Sequence, residues 1–272
     1  CLGGNGTQKT AFRLHERSGI NVLTLPKTID NDVAETDITF GFDSAMAIAT
    51  EAVDRLHTTA TSHQRIIVCE IMGHSAGWLC LGAGIAGGAD VILIPEIPYD
   101  LQAVARHLMR RQKAGKRFSI VAVAEGIVSR EEAKARAVMG EALTKEARIV
   151  THAAGVGEGV HLVQESVASR LARQLQQLTG VEARVTSLGH VQRGGTPTPF
   201  DRLLCTRLGT KAGELLAERR YNIMVGIKGA ECVPVPLKKV AGIKRTVPVD
   251  HAWVTTARLV ETCLGDEPEA GK

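Results

Sequence analysis

The chain has 272 residues, enough for one large domain or two smaller ones, and its 44% hydrophobic and 23% charged content belongs to a globular sequence, not a disordered one. Lysine and arginine number 33 against 29 acidic residues, and the net charge of +4 is too small and too dispersed for a nucleic-acid binder, though compatible with anionic small substrates. Six scattered cysteines without a CxxC pair argue against a zinc site or a disulfide framework and for a reducing, cytoplasmic setting. No apolar stretch reaches the roughly 18 residues a membrane helix needs, because "WLCLGAGIAGGADVILIPEIP" is broken by glycines, Asp90 and Pro95.

The first residues, "CLGGNGT", begin without methionine on a glycine turn of the kind that follows a strand, and so read as a chain lacking its N-terminal part. From there short apolar runs alternate with longer helical patterns. Strands are expected at Asn21 to Leu25, Arg65 to Ile71, Val91 to Pro95, Ser119 to Ala124, Arg184 to Leu188 and Asn222 to Ile227, several of them rich in Val and Ile. Helices are expected at Phe42 to Leu56, Ala76 to Gly87, Leu101 to Lys113, Glu131 to Ala147, Ser166 to Leu178 and Phe200 to Glu218. The alternation predicts an α/β fold with parallel, Rossmann-like sheets flanked by helices. Ligands in that architecture sit beyond the carboxyl ends of strands, so the loops there hold the candidates.

Those loops are polar and rich in glycine. They read "GGNGT", "PKTIDND", "EIMGHSAGW", "AEG" at Glu125, and "GHVQRGG". Glycine lets the backbone approach a ligand and offer N–H groups to anionic oxygens. In "TLPKTIDND" two aspartates, a lysine and a threonine crowd into six positions. A turn alone would explain Asp and Asn, but carboxylates are costly to desolvate unless a metal, a proton or a cation balances them. His190 and Arg193, three apart between glycines, lack a core explanation and fit an anion.

In this order, "GGNGT", "PKTIDND", "SHQR", "EIMGHSAGW", "AGGADVILIPEIPYD" and "SLGHVQRGG" resemble the 6-phosphofructokinase family, from residue 1 to about Gly229. The resemblance implies a two-domain enzyme, a homo-oligomer (dimer or tetramer) with shared active sites, that uses Mg²⁺ and transfers a phosphoryl group from ATP to the 1-hydroxyl of fructose 6-phosphate. It implies Asp30 as the catalytic base, Thr28 as the residue that positions the hydroxyl, Lys27 as a mobile cation near the phosphates, and Asp32 with Asn5 toward the metal. Gly4, Asn5, Gly6 and Thr7 would form the nucleotide loop. For the sugar phosphate it implies Met72, Gly73, Glu125, His190 and Arg193 from one subunit, with Arg65 and Arg184 from its neighbour. A base beside a metal ligand is what phosphoryl transfer requires, since the protein orients groups and balances charge.

The pattern departs from familiar bacterial members at three positions. Asn5 replaces Asp, His74 replaces Arg, and Lys27 replaces Gly. Pyrophosphate-using relatives share Lys27 but carry Asp where this chain has Gly6, and an Asp there would obstruct the α-phosphate and ribose of a nucleotide, so ATP is favoured and pyrophosphate is the alternative. His57 and Ala114 stand where allosteric relatives place basic effector ligands, with Lys116 retained, and this predicts a weak response to anionic effectors. The same alignment predicts a nucleotide-side domain of residues 1–40 and 193–245, a sugar-phosphate domain of 41–192, and a C-terminal segment 246–272 whose tail "GDEPEAGK" frays. An NAD kinase would share GGxGT but not "TIDND", and a non-catalytic regulatory paralogue would have no need of both Asp30 and Asp32.

Overall fold

The computed structural model describes residues 1–135, 137 and 165–266. Two four-stranded sheets organise it. In chain order the elements are β1 (Leu2–Gly3), α1 (Asn5–Ser18), β2 (Leu23–Pro26), α2 (Phe42–His63), β3 (Ile66–Ile71), α3 (Trp78–Ala86), β4 (Val91–Leu93), α4 (Leu101–Lys113) and β5 (Ser119–Ala124). They continue with α5 (Val167–Thr179), β6 (Ala183–Ser187), α6 (Pro199–Ala217), β7 (Ile223–Lys228), β8 (Glu231–Pro236) and α7 (Ala252–Leu259).

One sheet has the order β4-β5-β3-β6 and is parallel throughout, with Ile66 to Ile71 of β3 opposite Ser119 to Ala124 of β5 and Ile67 opposite Arg184 of β6. Its central strands read "IIVCEI" and "SIVAVA", and nearly every residue in them is buried. Continuous apolar runs of this kind suit a sheet covered on both faces, here by α2 and α3 and by α4 and α5. The other sheet has the order β1-β2-β7-β8, parallel across β1, β2 and β7 and antiparallel at β8.

The chain leaves the first-described strands after β2, builds the all-parallel sheet, and returns through α6. The return is pinned by Asp201 near the start of α6. This buried carboxylate accepts hydrogen bonds from Gly41 N at 3.0 Å, Ser44 N at 2.9 Å and Ser44 Oγ at 2.6 Å, so it caps the start of α2 from another helix. Removing it would leave three donors at that junction without their acceptor.

Several elements differ from expectation. The motif "GGNGT" is a turn only at Gly4, and a helix, α1, begins within it at Asn5. Strand β8 contains Pro234 and Pro236, which reads as a non-strand in sequence but is permitted at a sheet edge. The expected helix Glu131 to Ala147 is helical over residues 130–135 and at 137, and the rest of it lies outside the described residues. The tail is anchored in its first two residues. Gly265 O accepts from Asp100 N at 2.7 Å and Asp266 pairs with Arg258, while the residues after Asp266 lie outside the described ones. Val247, Val254, Cys263 and Leu264 join the core of the all-parallel sheet. None of the six cysteines is in a disulfide, and among the described residues no helix is long and apolar enough to cross a membrane.

Candidate active site

The loop after β2 is shaped by its own hydrogen bonds. Asn31 adopts the left-handed region at φ 51°, and its buried Oδ1 accepts from Thr39 N at 3.0 Å. Thr39 Oγ1 donates to the Thr28 carbonyl at 2.7 Å, and Asp30 N donates to Thr28 Oγ1 at 3.2 Å. Lys27 N donates to Gly3 O at 3.1 Å, which ties the loop to the end of β1, while the Lys27 side chain is exposed.

The glycine loop lies directly against it. A Cβ at Gly4 would come within 3.3 Å of Thr28 Cβ, and Asn5 Nδ2 donates to Asp32 Oδ2 at 2.6 Å and to the Asp32 carbonyl at 2.8 Å. That orientation leaves Asn5 Oδ1 buried without a hydrogen-bond partner. Helix α1 starts at Asn5 with no side-chain cap on its N-terminus and no acidic residue in its first turn. Its free N–H groups and positive dipole end suit an anion.

Loops of the all-parallel sheet supply the opposite wall. Gly73, at φ 148°, leaves no room for a side chain, since a Cβ would meet Ala76 O at 2.6 Å. His74 N donates to Glu125 Oε1 at 2.7 Å, and a Cβ on Gly126 would lie 1.8 Å from His74 O. Met72 N donates to the buried Gln192 Oε1 at 2.9 Å, so the turn carrying His190 and Arg193 is fastened to the loop carrying Met72 and Gly73. The structure thereby gathers residues from both sheets. Burial pushes the Asp30 carboxyl above its ordinary value of 3.8, Asp32 and Glu125 push it further, and Arg193 and His74 oppose them.

Arg65 and Arg184 lie elsewhere. Arg65 immediately precedes β3 and Arg184 is the second residue of β6, so both stand at the amino ends of strands whose carboxyl ends face Asp30. Glu182 holds the pair, accepting from Arg65 Nε at 2.6 Å and from Arg184 Nη2. The hydrogen bond from Arg65 lowers the Glu182 carboxyl, and Arg184 adds to the effect. Three residues that hold the site's loops, Asn31, Gln192 and Arg245, which donates its N–H to the Asp32 carbonyl, are not candidates in the sequence reading. Asn31 and Gln192 lay inside quoted motifs, whereas Arg245 lay in no motif.

A cavity of about 570 Å³ opens away from these residues, lined by His107, Arg110, Arg111 and Arg258. Two of these arginines are turned to internal partners, Arg111 to Asp90 and Arg258 to Asp266.

Two largely parallel sheets whose strand-end loops converge on one cleft define an α/β enzyme class of site. The family model described as Phosphofructokinase matches residues 1–216, and the chain belongs to that family. An ATP-dependent 6-phosphofructokinase of Spirochaeta thermophila is 54% identical over 97% of this chain and 68% of its own length. One from Propionibacterium freudenreichii is 53% identical over 98% and 72%. Among solved structures, a pyrophosphate-dependent phosphofructokinase from Nitrosospira multiformis superposes with a TM-score of 0.74 at 19% identity, covering 100% of this chain and 68% of that one, and shows the fold alone.

Proposed function

We infer that this chain transfers the γ-phosphoryl group of ATP to the 1-hydroxyl of fructose 6-phosphate, yielding fructose 1,6-bisphosphate and ADP. The observation that carries this reading is the placement of Asp30, a half-buried carboxylate beside Asp32 and Glu125, facing Arg193 and His74, between an uncapped helix N-terminus and the Met72–Gly73 loop. The reading draws its donor from relatives at 54% and 53% identity that are ATP-dependent enzymes. Gly6 supports the same donor: a Cβ there would meet nothing within 4 Å, so the space beside α1 is open to a nucleotide.

Asp30 accepts the proton of the 1-hydroxyl, and its raised pKa makes it a stronger base than an ordinary aspartate. Thr28 orients that hydroxyl. The new O–P bond forms as the bond from the γ-phosphorus to the bridging oxygen of ADP breaks. Lys27, His74 and Arg193 balance charge on the phosphates, with His190 and Arg193 on the 6-phosphate and Glu125, Met72 and Gly73 on the sugar. The orphaned Asn5 Oδ1 and the neighbouring Asp32 carboxylate form a hard oxygen set that fits Mg²⁺, a metal that keeps waters and binds few protein groups. Bound there, Mg²⁺ would neutralise charge on the donor's phosphates.

Residues 1–40 and 193–245 serve the nucleotide side and 41–192 the sugar phosphate, and the C-terminal segment 246–272 braces the latter through Val247, Val254, Cys263 and Leu264. Arg65 and Arg184 complete the 6-phosphate site of a second subunit, because within their own chain they stand at the far end of the sheet. The cytoplasm, where ATP and sugar phosphates are held, is where this chemistry belongs. The test is an assay of the full chain with Mg·ATP and with Mg·pyrophosphate, alongside Asp30→Asn. Activity with ATP and a loss of about 10²–10⁴-fold in Asp30→Asn turnover, with fructose 6-phosphate binding retained, is the expected result. Turnover with pyrophosphate alone would reassign the donor.

A further inference from the structure

The catalytic loop is held from behind by a segment that carries no motif. Residues 243–253 follow β8 and cross between the two sheets. Val33 and Lys244 form an antiparallel bridge, Arg245 N donates to Asp32 O at 2.8 Å, and Arg245 Nη1 donates to Asn31 O at 3.2 Å. The same few residues reach the other wall of the site. The Arg245 guanidinium lies 4.1 Å from the centre of the Trp78 ring, and Trp78 Nε1 donates back to the Arg245 carbonyl at 3.2 Å. Lys244 Nζ donates to Ser75 Oγ in the loop after β3, and Glu96 accepts from both Val247 N and Gly77 N at 2.9 Å.

Arg245 therefore touches both walls with one side chain. Its half-buried charge is directed to a ring face and a backbone carbonyl, and among the described residues it makes no ion pair. Burial lowers its pKa from the usual arginine value. A guanidinium can stack on an aromatic plane while donating within its own plane, and an ammonium cannot do both. Trp78 is itself fixed by edge contacts from His251 at 4.9 Å and Trp253 at 6.2 Å. The arrangement transmits the position of α3 to the backbone one residue from Asp30.

We propose that Arg245 is a positioning residue for phosphoryl transfer: stacked on Trp78 and bonded to Asn31 and Asp32, it sets the Thr28–Asp32 loop against the sugar-side loops so that Asp30 meets the substrate hydroxyl. The proposal rests on Asp30 being the base. It touches neither substrate nor reacting atoms, so its loss acts on turnover and not on substrate affinity.

The test compares Arg245→Ala and Arg245→Lys with wild type in the full chain, measuring kcat, KM for fructose 6-phosphate and for ATP, and thermal unfolding, with ethylguanidinium added to the Ala variant. A misplacement of about 1 Å can cost on the order of 10²-fold, so kcat of Arg245→Ala is expected to fall about 10- to 100-fold with both KM values within about threefold. Arg245→Lys should lose about tenfold, and ethylguanidinium should restore part of the Ala variant's kcat. If Arg245→Ala fails to fold, Arg245→Lys carries the same kcat-against-KM comparison. Wild-type kcat in the variants that fold, a rise in KM at constant kcat, or losses that only follow melting temperature would overturn the proposal. Asp30→Asn run in parallel separates the two readings: retained turnover there removes the base assignment, whereas its loss beside a fully active Arg245→Ala removes only the role of Arg245.

Discussion

Asp30 joins catalysis to stability through one pKa. As the base proposed for the transfer, Asp30 must be ionised, so activity should fall as pH drops through its raised pKa, and the acid limb of kcat should lie above the ordinary aspartate value of 3.8. The stability effect has the opposite sense from that of a salt-bridged aspartate. Between the unfolded value and the raised folded one the native state holds more protons, so stability declines as pH rises across that window and the penalty is complete above it. Asn at position 30 carries no such penalty. Asp30→Asn should therefore melt higher than wild type at neutral pH, and the gain should vanish below the unfolded aspartate range, as pH-dependent thermal melts would report. The gain is moderate, because Asp30 keeps contact with solvent and with Arg193 and His74. Equal melting temperatures at both pH values would count against the burial effect on this carboxyl.

Helix α1 offers a sharper separation of stability from activity, because its N-terminus is left uncapped. Gly6 sits in its first turn, where a side chain would meet open space and an acidic group is favourable toward the dipole by roughly 0.3–1 kcal/mol. Gly6→Asp should keep or raise the melting temperature while ATP-dependent turnover falls, since the new carboxylate occupies and charges the anion-facing end. ATP activity at wild-type level would contradict the use of that terminus. The helix also shows why parts of the fold were hidden in sequence. "NGTQKTAFRLHERS" buries only Gln8 and Ala11, and Gln8 is buried to bond Thr24 Oγ1 and the Gly3 carbonyl, so no apolar stripe marks it. The prolines of β8 hid a strand for which an edge position removes the penalty. By contrast β3 and β5 were plain, because strands buried on both faces must be apolar throughout. In the same way the loop motifs marked Asp30, Asp32, Glu125 and Arg193 as candidates, and the fold draws their charges together. Arg245 could not be read from local pattern, since its partners Asn31 and Trp78 are set only by tertiary packing.

For the whole molecule, the two ends of one sheet are expected to serve two different sites. If Arg65 and Arg184 act across a subunit interface, Asp30→Asn and Arg184→Ala homomers should each be nearly inactive, yet mixing their subunits should restore activity. Random pairing in a dimer gives hybrids in half the molecules with one intact site each, hence about a quarter of wild-type activity. No recovery on co-expression would confine the arginines to a structural role with Glu182.

The placement of β7 also governs when the protein can become active as it is made. Leu23 pairs with Ile223 and Thr24 with Met224, whereas every strand of the all-parallel sheet lies between Ile66 and Ser187. Pairing over so long a loop closes late, and a chain emerging from the ribosome completes the intervening unit first. The loop bearing Asp30 is synthesised before the all-parallel sheet, but the partners that shape it follow that sheet: β7 beside its strand and Arg245 behind its backbone. The loops of the all-parallel sheet thus form on a nascent chain whose Asp30 loop still lacks those partners. Only synthesis past Arg245 brings the two walls of the site together.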